Sequence, residues 1–169
     1  RIYTRDMVCH KTVDGLPACL QKEIKQLEYK YGGAMEKLWA LVTGASSGIG
    51  LAYAKELASR GYPLVMVSNE EQAIQEKGEW IRQTYGVEVI ARYQDLAIPG
   101  AAKALYEACQ AEGIVVDVLV NNAGMFFFKE VVDEREVVVE KMLYLHTTTP
   151  TQLCYYFGKE MKRRGHGYI

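Results

Sequence analysis

The sequence predicts an α/β fold: a doubly wound, mostly parallel sheet with helices on both faces, giving three αβα layers. Two observations predict it. Continuous apolar runs, typical of strands buried on both faces, alternate with stretches whose apolar residues recur every three or four positions. Glycine follows most of the helical stretches, as is common at helix C-termini. Strict alternation implies right-handed crossovers and a parallel sheet.

The elements follow one another along the chain from position 38 onward. Apolar runs predict strands at positions 38–42 and 63–68, and two further strands are expected at positions 87–93 and 115–120. One helix is expected over 101–112, and the stripes that predict the other helices contain Ile49, Tyr53 and Leu57; Ile74, Ile81 and Tyr85; Val138, Met142 and Leu145; and Leu153, Phe157 and Met161. Tyr168-Ile169 begins a fifth strand, so the sheet is expected to be truncated there.

Composition and charge exclude several classes of function. The 20 Lys and Arg against 21 Asp and Glu leave a net charge of -1, without the positive excess that binds nucleic acid or an anionic membrane. No apolar run reaches the roughly 18 residues of a spanning helix, and no signal-peptide layout is present. The cysteines contain no CxxC pair, so neither a disulfide framework nor a metal site is predicted. We therefore expect a cytoplasmic protein.

Residues 1–34 share no pattern with the remainder of the chain. Met35 stands immediately before the first strand, where a domain of this kind begins. We expect residues 1–34 to be an extension that is loosely attached or foreign to the native protein. Residues 35–169 are expected to form one domain, incomplete at its C-terminus.

The turn after the first strand is rich in glycine and reads Thr43-Gly44-Ala45-Ser46-Ser47-Gly48-Ile49-Gly50. Gly44 permits the tight bend, Gly48 lets the backbone approach a pyrophosphate, and Gly50 lets the helix pack close to the sheet. The free N–H groups and the dipole of the helix start favour a bound phosphate. Glycines in this place can also be plain turn residues.

A second motif agrees with phosphate binding. Asn121-Asn122-Ala123-Gly124 ends the fourth strand, which lies beside the first across the crevice of a doubly wound sheet. Thr-Gly-x-x-x-Gly-x-Gly followed by Asn-Asn-Ala-Gly at this distance resembles the short-chain dehydrogenase/reductase family, from about Leu38 to the chain end. The resemblance implies a Rossmann-like sheet, an NAD or NADP cofactor, and hydride transfer between that cofactor and an alcohol or carbonyl substrate.

The family's cofactor contacts carry over by position. The residues that would hold the pyrophosphate and ribose are Gly44, Ser46, Ser47, Gly48, Ile49 and Gly50. Asp95-Leu96 matches the pair that contacts adenine, although an Asp after a strand is otherwise most often a helix N-cap. Asn122, Ala123 and Gly124 match the segment along the cofactor, and Asn121 is expected to brace the sheet.

The end of the second strand, Ser68-Asn69-Glu70, indicates which dinucleotide is bound. An acid there accepts hydrogen bonds from the 2′-OH of NAD, whereas a basic residue pairs with the 2′-phosphate of NADP. Ser68 replaces the family's NAD-selective acid and so removes the repulsion of the phosphate, while Asn69 adds no positive charge. The resemblance therefore favours NADP(H) over NAD(H), although the Glu70 carboxylate can still reach a ribose.

The family's catalytic Ser, Tyr and Lys, the last two spaced as Tyr-x-x-x-Lys, lie after strand five and are expected beyond Ile169. Tyr155 and Lys159 have this spacing but precede strand five, inside the last helix. We interpret the match as a coincidence, with Tyr155 and Tyr156 as packing residues and Lys159 as a solvated charge. The chain as given is therefore expected to be inactive.

His146 falls where many family members place an Asn, at a helix kink that supports a water-linked proton relay to the Lys. A histidine can carry a proton near neutral pH, which makes His146 the catalytic candidate of this chain. The alternative is a partly buried side chain satisfied by backbone groups.

Two further features concern substrate and assembly. Met125-Phe126-Phe127-Phe128 lies where the family lines its substrate cleft, and it suits a hydrophobic or carbonyl-bearing small molecule or else covers the sheet edge. The stripe of Leu153, Phe157 and Met161 resembles the helix that such enzymes pair across a two-fold axis. This implies a homodimer or tetramer, unless the stripe is buried against the sheet.

Two other functions compete with the reductase. Positions 44–48 also satisfy Gly-x-Ser-x-Gly, with Ser46 as the nucleophile of a serine hydrolase. His146 and His166 have no acidic partner near a suitable strand end, and this hypothesis leaves the 121–124 motif unexplained. The other competitor is a dinucleotide-binding module without catalysis.

Overall fold

The computed structural model describes residues 37–169, which contain four parallel strands in the order β3-β2-β1-β4. The strands are β1 (Leu38–Thr43), β2 (Leu64–Ser68), β3 (Val89–Tyr93) and β4 (Val115–Val120). Tyr168 forms a parallel bridge to Val118, with its N–H 2.8 Å from the Asp117 carbonyl. The doubly wound parallel sheet and the start of a fifth strand beside β4 are thus confirmed.

Across the part of the chain that the structure describes, the strands are accompanied by five α-helices: α1 (Gly48–Ser59), α2 (Glu71–Tyr85), α3 (Ala101–Ala111), α4 (Glu136–Leu143) and α5 (Thr149–Arg164). A 3-10 turn at Val131–Asp133 precedes α4. The π-helical turn Tyr144–Thr148 joins α4 to α5, so the two helical stretches expected after β4 run into one another through a local irregularity.

The apolar residues of β1 divide the core into two halves. Trp39 and Leu41 belong to the cluster that contains the buried residues of α3 and α5, while Ala40 and Val42 belong to the cluster of α1 and α2. Successive side chains of a strand point to opposite faces, and here both faces are covered by helices. This is why the strands read as continuous apolar runs.

The stripe of α5 that the family resemblance assigned to a subunit interface is buried within the domain. Leu153, Phe157 and Met161 all lie in the core cluster shared with β1 and β4, and Phe157 is only 2% exposed. The stripe therefore packs against the sheet, and the expectation of a dimer or tetramer loses this support and stays a prediction. Tyr156 stacks on Tyr106 as expected, but Tyr155 is 60% exposed, so its predicted packing role was wrong.

Two expectations concern residues outside the described part of the chain: the domain boundary at Met35 and the extension over residues 1–34. Within residues 37–169, no helix has the length and apolar character needed to cross a membrane, and no cluster of potential ligands could hold a metal ion.

Replacing the Phe157 side chain tests the burial of the α5 stripe. We expect Phe157→Ala to lower the free energy of unfolding by about 3–5 kcal/mol, because a fully buried ring leaves a cavity. Tyr155→Ala on the exposed side of the same helix is the matched control and is expected to lower it by less than about 1 kcal/mol. Urea denaturation measures both values, and similar losses for the two variants would contradict the placement of the stripe.

Candidate cofactor site

The carboxyl ends of β1 and β4 are tied together by Thr43 and Asn122. The Thr43 hydroxyl donates to the Val120 carbonyl (3.2 Å) and accepts from the backbone N–H groups of Asn122 (2.9 Å) and Ala123 (3.0 Å). The Asn122 side-chain amide donates to the carbonyls of Thr43 (3.0 Å) and Gly44 (3.3 Å). This Thr43–Asn122 junction holds the first turn against the end of β4.

The amide that braces the sheet belongs to Asn122, where the sequence analysis expected Asn121. The Asn121 side chain is exposed, and its amide nitrogen lies 3.3 Å from the Cys154 sulfur. Neighbouring side chains of an extended chain point in opposite directions, so a shift of one residue decides which asparagine faces β1. The prediction was wrong because two adjacent asparagines do not indicate where β4 ends.

The glycines of the first turn bring α1 into direct contact with this junction. Gly44 has a φ of +65°, a conformation that favours glycine. A Cβ on Gly50 would lie 2.1 Å from the Gly44 carbonyl oxygen and 2.4 Å from the Asn122 amide nitrogen. No side chain fits there, so Gly50 does permit close packing, but against the turn and Asn122 rather than against the sheet itself.

The N-terminus of α1 is open to solvent. Ser47 occupies the N-cap position without a side-chain cap, and a Cβ on Gly48 would meet nothing within 4 Å. Ile49 is 71% exposed despite being apolar. The first N–H groups of a helix lack internal partners and attract anions. These backbone donors, with open space at Gly48, fit the pyrophosphate of a dinucleotide.

A cavity of about 220 Å³ lies beside the Thr43–Asn122 junction. Five residues that the sequence analysis assigned to the site line it together: Leu96, Asn122, Ala123, Gly124 and His146. The other lining residues are Thr43, Asn121, Leu145, Thr149, Pro150 and Leu153. The loop after β3, the end of β4 and the start of α5 therefore enclose one space next to the first turn.

His146 lies in the π-helical turn and contacts the chain that leaves β4. Its Nε2 atom is 3.1 Å from the Met125 N–H and 2.8 Å from the Met125 carbonyl, so it accepts from the first or donates to the second according to its tautomer. The ring also lies close to Gly124, where a Cβ would be 3.0 Å from Cε1. Backbone groups thus satisfy this histidine, and the relay role stays a prediction.

Asp95 and Leu96 occupy the loop between β3 and α3. Asp95 Oδ1 accepts from the Ala97 N–H (2.8 Å), while the N-cap position of α3 is Gly100. The Asp95 carboxylate therefore closes its own turn and caps no helix. Its other oxygen lies 3.9 Å from Lys141 Nζ. Leu96, not Asp95, reaches the cavity, and the adenine contact of this pair stays a prediction.

Ser46 and Ser68 lie side by side between the first turn and the end of β2. The Ser68 hydroxyl donates to Ser46 Oγ (2.9 Å), and the Ser46 hydroxyl donates to Glu70 Oε2 (2.7 Å). Both serines are buried, whereas Asn69 and Glu70 are exposed. Two of the predicted cofactor residues, Ser46 and Ser68, are thus brought together with Glu70.

This geometry does not support a serine hydrolase. The Ser46 hydroxyl is buried and bonded to a carboxylate rather than to a histidine. His166 has an acidic partner, since its Nδ1 lies 2.6 Å from Asp117 Oδ1, but this partner does not stand at the carboxyl end of a strand. Asp117, however, belongs to the first half of β4, and Ser46 follows the carboxyl end of β1. In a parallel sheet these positions lie at opposite ends.

The Tyr155 and Lys159 pair lies away from the lining residues of the cavity. Lys159 Nζ is 5.1 Å from the Tyr155 ring centroid, on the exposed side of α5. The spacing of four residues therefore produces an ordinary contact along a helix surface.

Three residues of the site escaped the sequence analysis. Thr43 was quoted in the motif but given no role, and Glu70 was weighed but not assigned. Thr149 donates its hydroxyl to the Leu96 carbonyl (2.8 Å), which fixes the start of α5 to the loop after β3. Thr43 adjoins Gly44 in the motif, which was the available signal. Nothing in the local sequence distinguishes Thr149 from its neighbours.

The family model described as short chain dehydrogenase matches residues 38–169. This chain belongs to that family. A very-long-chain 3-oxoacyl-CoA reductase of Anas platyrhynchos is 33% identical over 138 residues, which cover 78% of this chain and 43% of the reductase. The human inactive hydroxysteroid dehydrogenase-like protein 1 is 39% identical over 93 residues, 53% of this chain and 27% of that protein.

Solved structures agree with the fold. A short-chain dehydrogenase from Sphingobium yanoikuyae, determined in complex with NADPH, superimposes with a TM-score of 0.70 at 32% identity, covering 76% of this chain and 50% of that one. The resemblance inferred from the two motifs is therefore confirmed. The chain spans half or less of the length of the curated relatives it matches.

Removing the Asn122 amide tests the junction. We expect Asn122→Ala to lower the free energy of unfolding by about 1–3 kcal/mol, because two backbone carbonyls lose their donor. Asn121→Ala is the matched control next to it and is expected to change the value by no more than about 0.5 kcal/mol. Chemical denaturation of both variants provides the comparison, and a larger loss at position 121 would contradict the assignment.

Proposed function

We propose that the protein containing this chain is a nicotinamide-dependent oxidoreductase that interconverts an alcohol and a carbonyl compound. The observation that carries the proposal is the Thr43–Asn122 junction, which places the open start of α1 beside a cavity lined by Asn122, Ala123 and Gly124. When bound, the nicotinamide supplies or accepts the hydride.

The residues of the first turn are proposed to bind the dinucleotide. The N–H groups at the start of α1 face its pyrophosphate, and Gly48 leaves room for close approach. Ser46, Ser47 and Ile49 complete the contacts around the phosphates and ribose. Asn122 fixes the turn, and the segment through Gly124 lies along the remainder of the cofactor.

The catalytic part is proposed by family analogy. The Ser, Tyr and Lys of the family mechanism are assigned to the part of the natural protein that follows residue 169, because this chain spans 43% of the duck reductase. His146 orients the Met125 backbone beside the cavity and is the candidate for passing a proton to the Lys.

The substrate side of the site is apolar. Phe126 and Phe128 are both exposed and contact each other edge to face, with ring centroids 4.9 Å apart. They follow directly on the cofactor segment, which supports a hydrophobic alcohol or carbonyl substrate. The name of the duck relative, a very-long-chain 3-oxoacyl-CoA reductase, indicates a substrate of this kind for that protein.

Three further expectations from the sequence stay predictions. NADP(H) was favoured because Ser68 is not acidic, and the Sphingobium enzyme was solved with NADPH. A cytoplasmic location and a homodimeric or tetrameric assembly are the other two.

A charge placed at the start of α1 tests dinucleotide binding directly. We expect Ile49→Glu to weaken NADH and NADPH binding about tenfold or more, because the carboxylate repels the pyrophosphate. The same change leaves folding stability unchanged or slightly raised, since acids are favourable in the first turn of a helix. Isothermal titration calorimetry measures the affinities, and thermal unfolding measures the stability.

Ile49→Gln is the neutral control: it also loses the Ile49 contact but adds no charge, so it is expected to weaken binding of both nucleotides clearly less than Ile49→Glu does. Equal affinities for the Glu and Gln variants would contradict the placement of the pyrophosphate. Nucleotide binding by the natural protein without turnover of any alcohol or carbonyl would favour the non-catalytic module instead.

A further inference from the structure

Asp117 is a buried carboxylate in a β-bulge of β4. Trp39 of β1 pairs with Val116. The next residue of β1, Ala40, pairs with Val118, so Asp117 is an extra residue without a partner on β1. Its side chain is only 1% exposed. A charge buried to this extent is costly unless other groups pair with it, so the contacts of Asp117 require an explanation.

The three residues Gly165-His166-Gly167 join α5 to the fifth strand, and their backbone is permissive. Gly165 has a φ of +74° and Gly167 a φ of +147°, values that favour glycine. Because glycine adopts many conformations, this joint does not by itself fix where Tyr168 meets β4. A slip of one residue would move every following side chain to the other face of the sheet. The register of the fifth strand therefore needs a contact outside the joint's backbone.

Residues on both sides of the joint converge on the bulge. The Tyr168 N–H donates to the Asp117 carbonyl (2.8 Å), and His166 Nδ1 lies 2.6 Å from Asp117 Oδ1. Arg164, the last residue of α5, donates to the Val116 carbonyl (2.9 Å) and lies 3.8 Å from Asp117 Oδ1. Asp117 thus receives the end of the helix, the middle of the joint and the first residue of the fifth strand.

The contact between His166 and Asp117 specifies one register. Backbone hydrogen bonds of a parallel pair repeat along the strands, so a strand shifted by two residues can form the same pattern. The carboxylate occurs once, and its neighbours Val116 and Val118 offer an imidazole no acceptor on their side chains. An Nδ1–H donates to a carboxylate whether the ring is neutral or charged. This side-chain pair therefore distinguishes the observed register from shifted ones.

The surroundings of the bulge fit an ionised Asp117. Arg164 supplies a permanent positive charge, and its side chain is largely buried. Burial raises the pKa of Tyr62, and the negative charge of Asp117 raises it further. Within residues 37–169 the Asp117 Oδ2 atom has no hydrogen-bond partner, so His166 and Arg164 compensate the charge through Oδ1. Removing one of them leaves a buried charge poorly compensated.

We propose that Asp117 and His166 form a clasp that fixes the register of the fifth strand on β4, and with it the path of the chain that follows residue 169. The inference goes beyond the proposed function and does not rest on it. The clasp joins β4 to the end of α5 and to the fifth strand, whereas the proposed dinucleotide site is built on the first turn.

Hydrogen exchange of the natural protein, followed by mass spectrometry, tests the clasp. The Leu119 N–H donates to the Tyr168 carbonyl (2.9 Å), and the Tyr168 N–H donates to Asp117, so both report on the pairing of the two strands. In His166→Ala the carboxylate loses its nearest donor. We expect peptides containing these two N–H groups to exchange about tenfold faster, because the pairing opens more often.

Two further variants separate the clasp from other effects of the substitution. His166→Asn places an amide N–H near the position of Nδ1 and is expected to keep exchange within about threefold of that of the unchanged protein. Lys162→Ala changes an exposed residue in the last turn of α5 and is expected to keep it within about twofold. Peptides from α2, which lies away from the bulge, should exchange as before in all three variants.

Each outcome decides for or against the clasp. Faster exchange in His166→Ala that His166→Asn restores supports it. Unchanged exchange in His166→Ala overturns it. Equal acceleration in the Ala and Asn variants also overturns it, because the lost edge contact of the ring with Tyr168 would then account for the effect. Equal acceleration in α2 and at the joint overturns it as well, since the pair would then stabilise the whole domain rather than one strand.

Discussion

The close approach of the first turn to the end of β4 is the constraint on which the rest of the site depends. Thr43 uses its proton and both lone pairs across the two strands, and Asn122 bonds to two carbonyls of the turn. Gly50 must lack a side chain because these same atoms occupy its surroundings. The start of α1 and the cavity beside it take their positions from this contact.

The fold was predictable from sequence because the two central strands, β1 and β2, are buried on both faces. A strand in that position reads as a continuous apolar run, and each run here is followed by a helical stretch with a distinct end. Side-chain direction was harder to predict. The sequence shows the apolar stripe containing Phe157 but not which surface covers it. In the structure this stripe faces the sheet.

The site was predictable where its chemistry depends on the backbone, and less so where it depends on side chains. The glycine turn requires particular residues at fixed spacing, which is visible in one sequence. Two sets of hydrogen bonds join residues from different elements. Asn122, rather than Asn121, braces the first turn, and Ser46 bonds to Ser68 and Glu70. Such contacts depend on strand register and loop geometry, which composition and periodicity do not specify.

Hydrogen exchange of the natural protein, followed by mass spectrometry with and without NADH, tests the central claim most directly. If the junction builds the dinucleotide site, bound NADH should slow exchange at the start of α1, at the end of β2 and along residues 121–125. Residues in the outer helices, such as Tyr155 on the exposed side of α5, should exchange as before. Unchanged exchange at the first turn, or protection confined to other regions, would contradict the account.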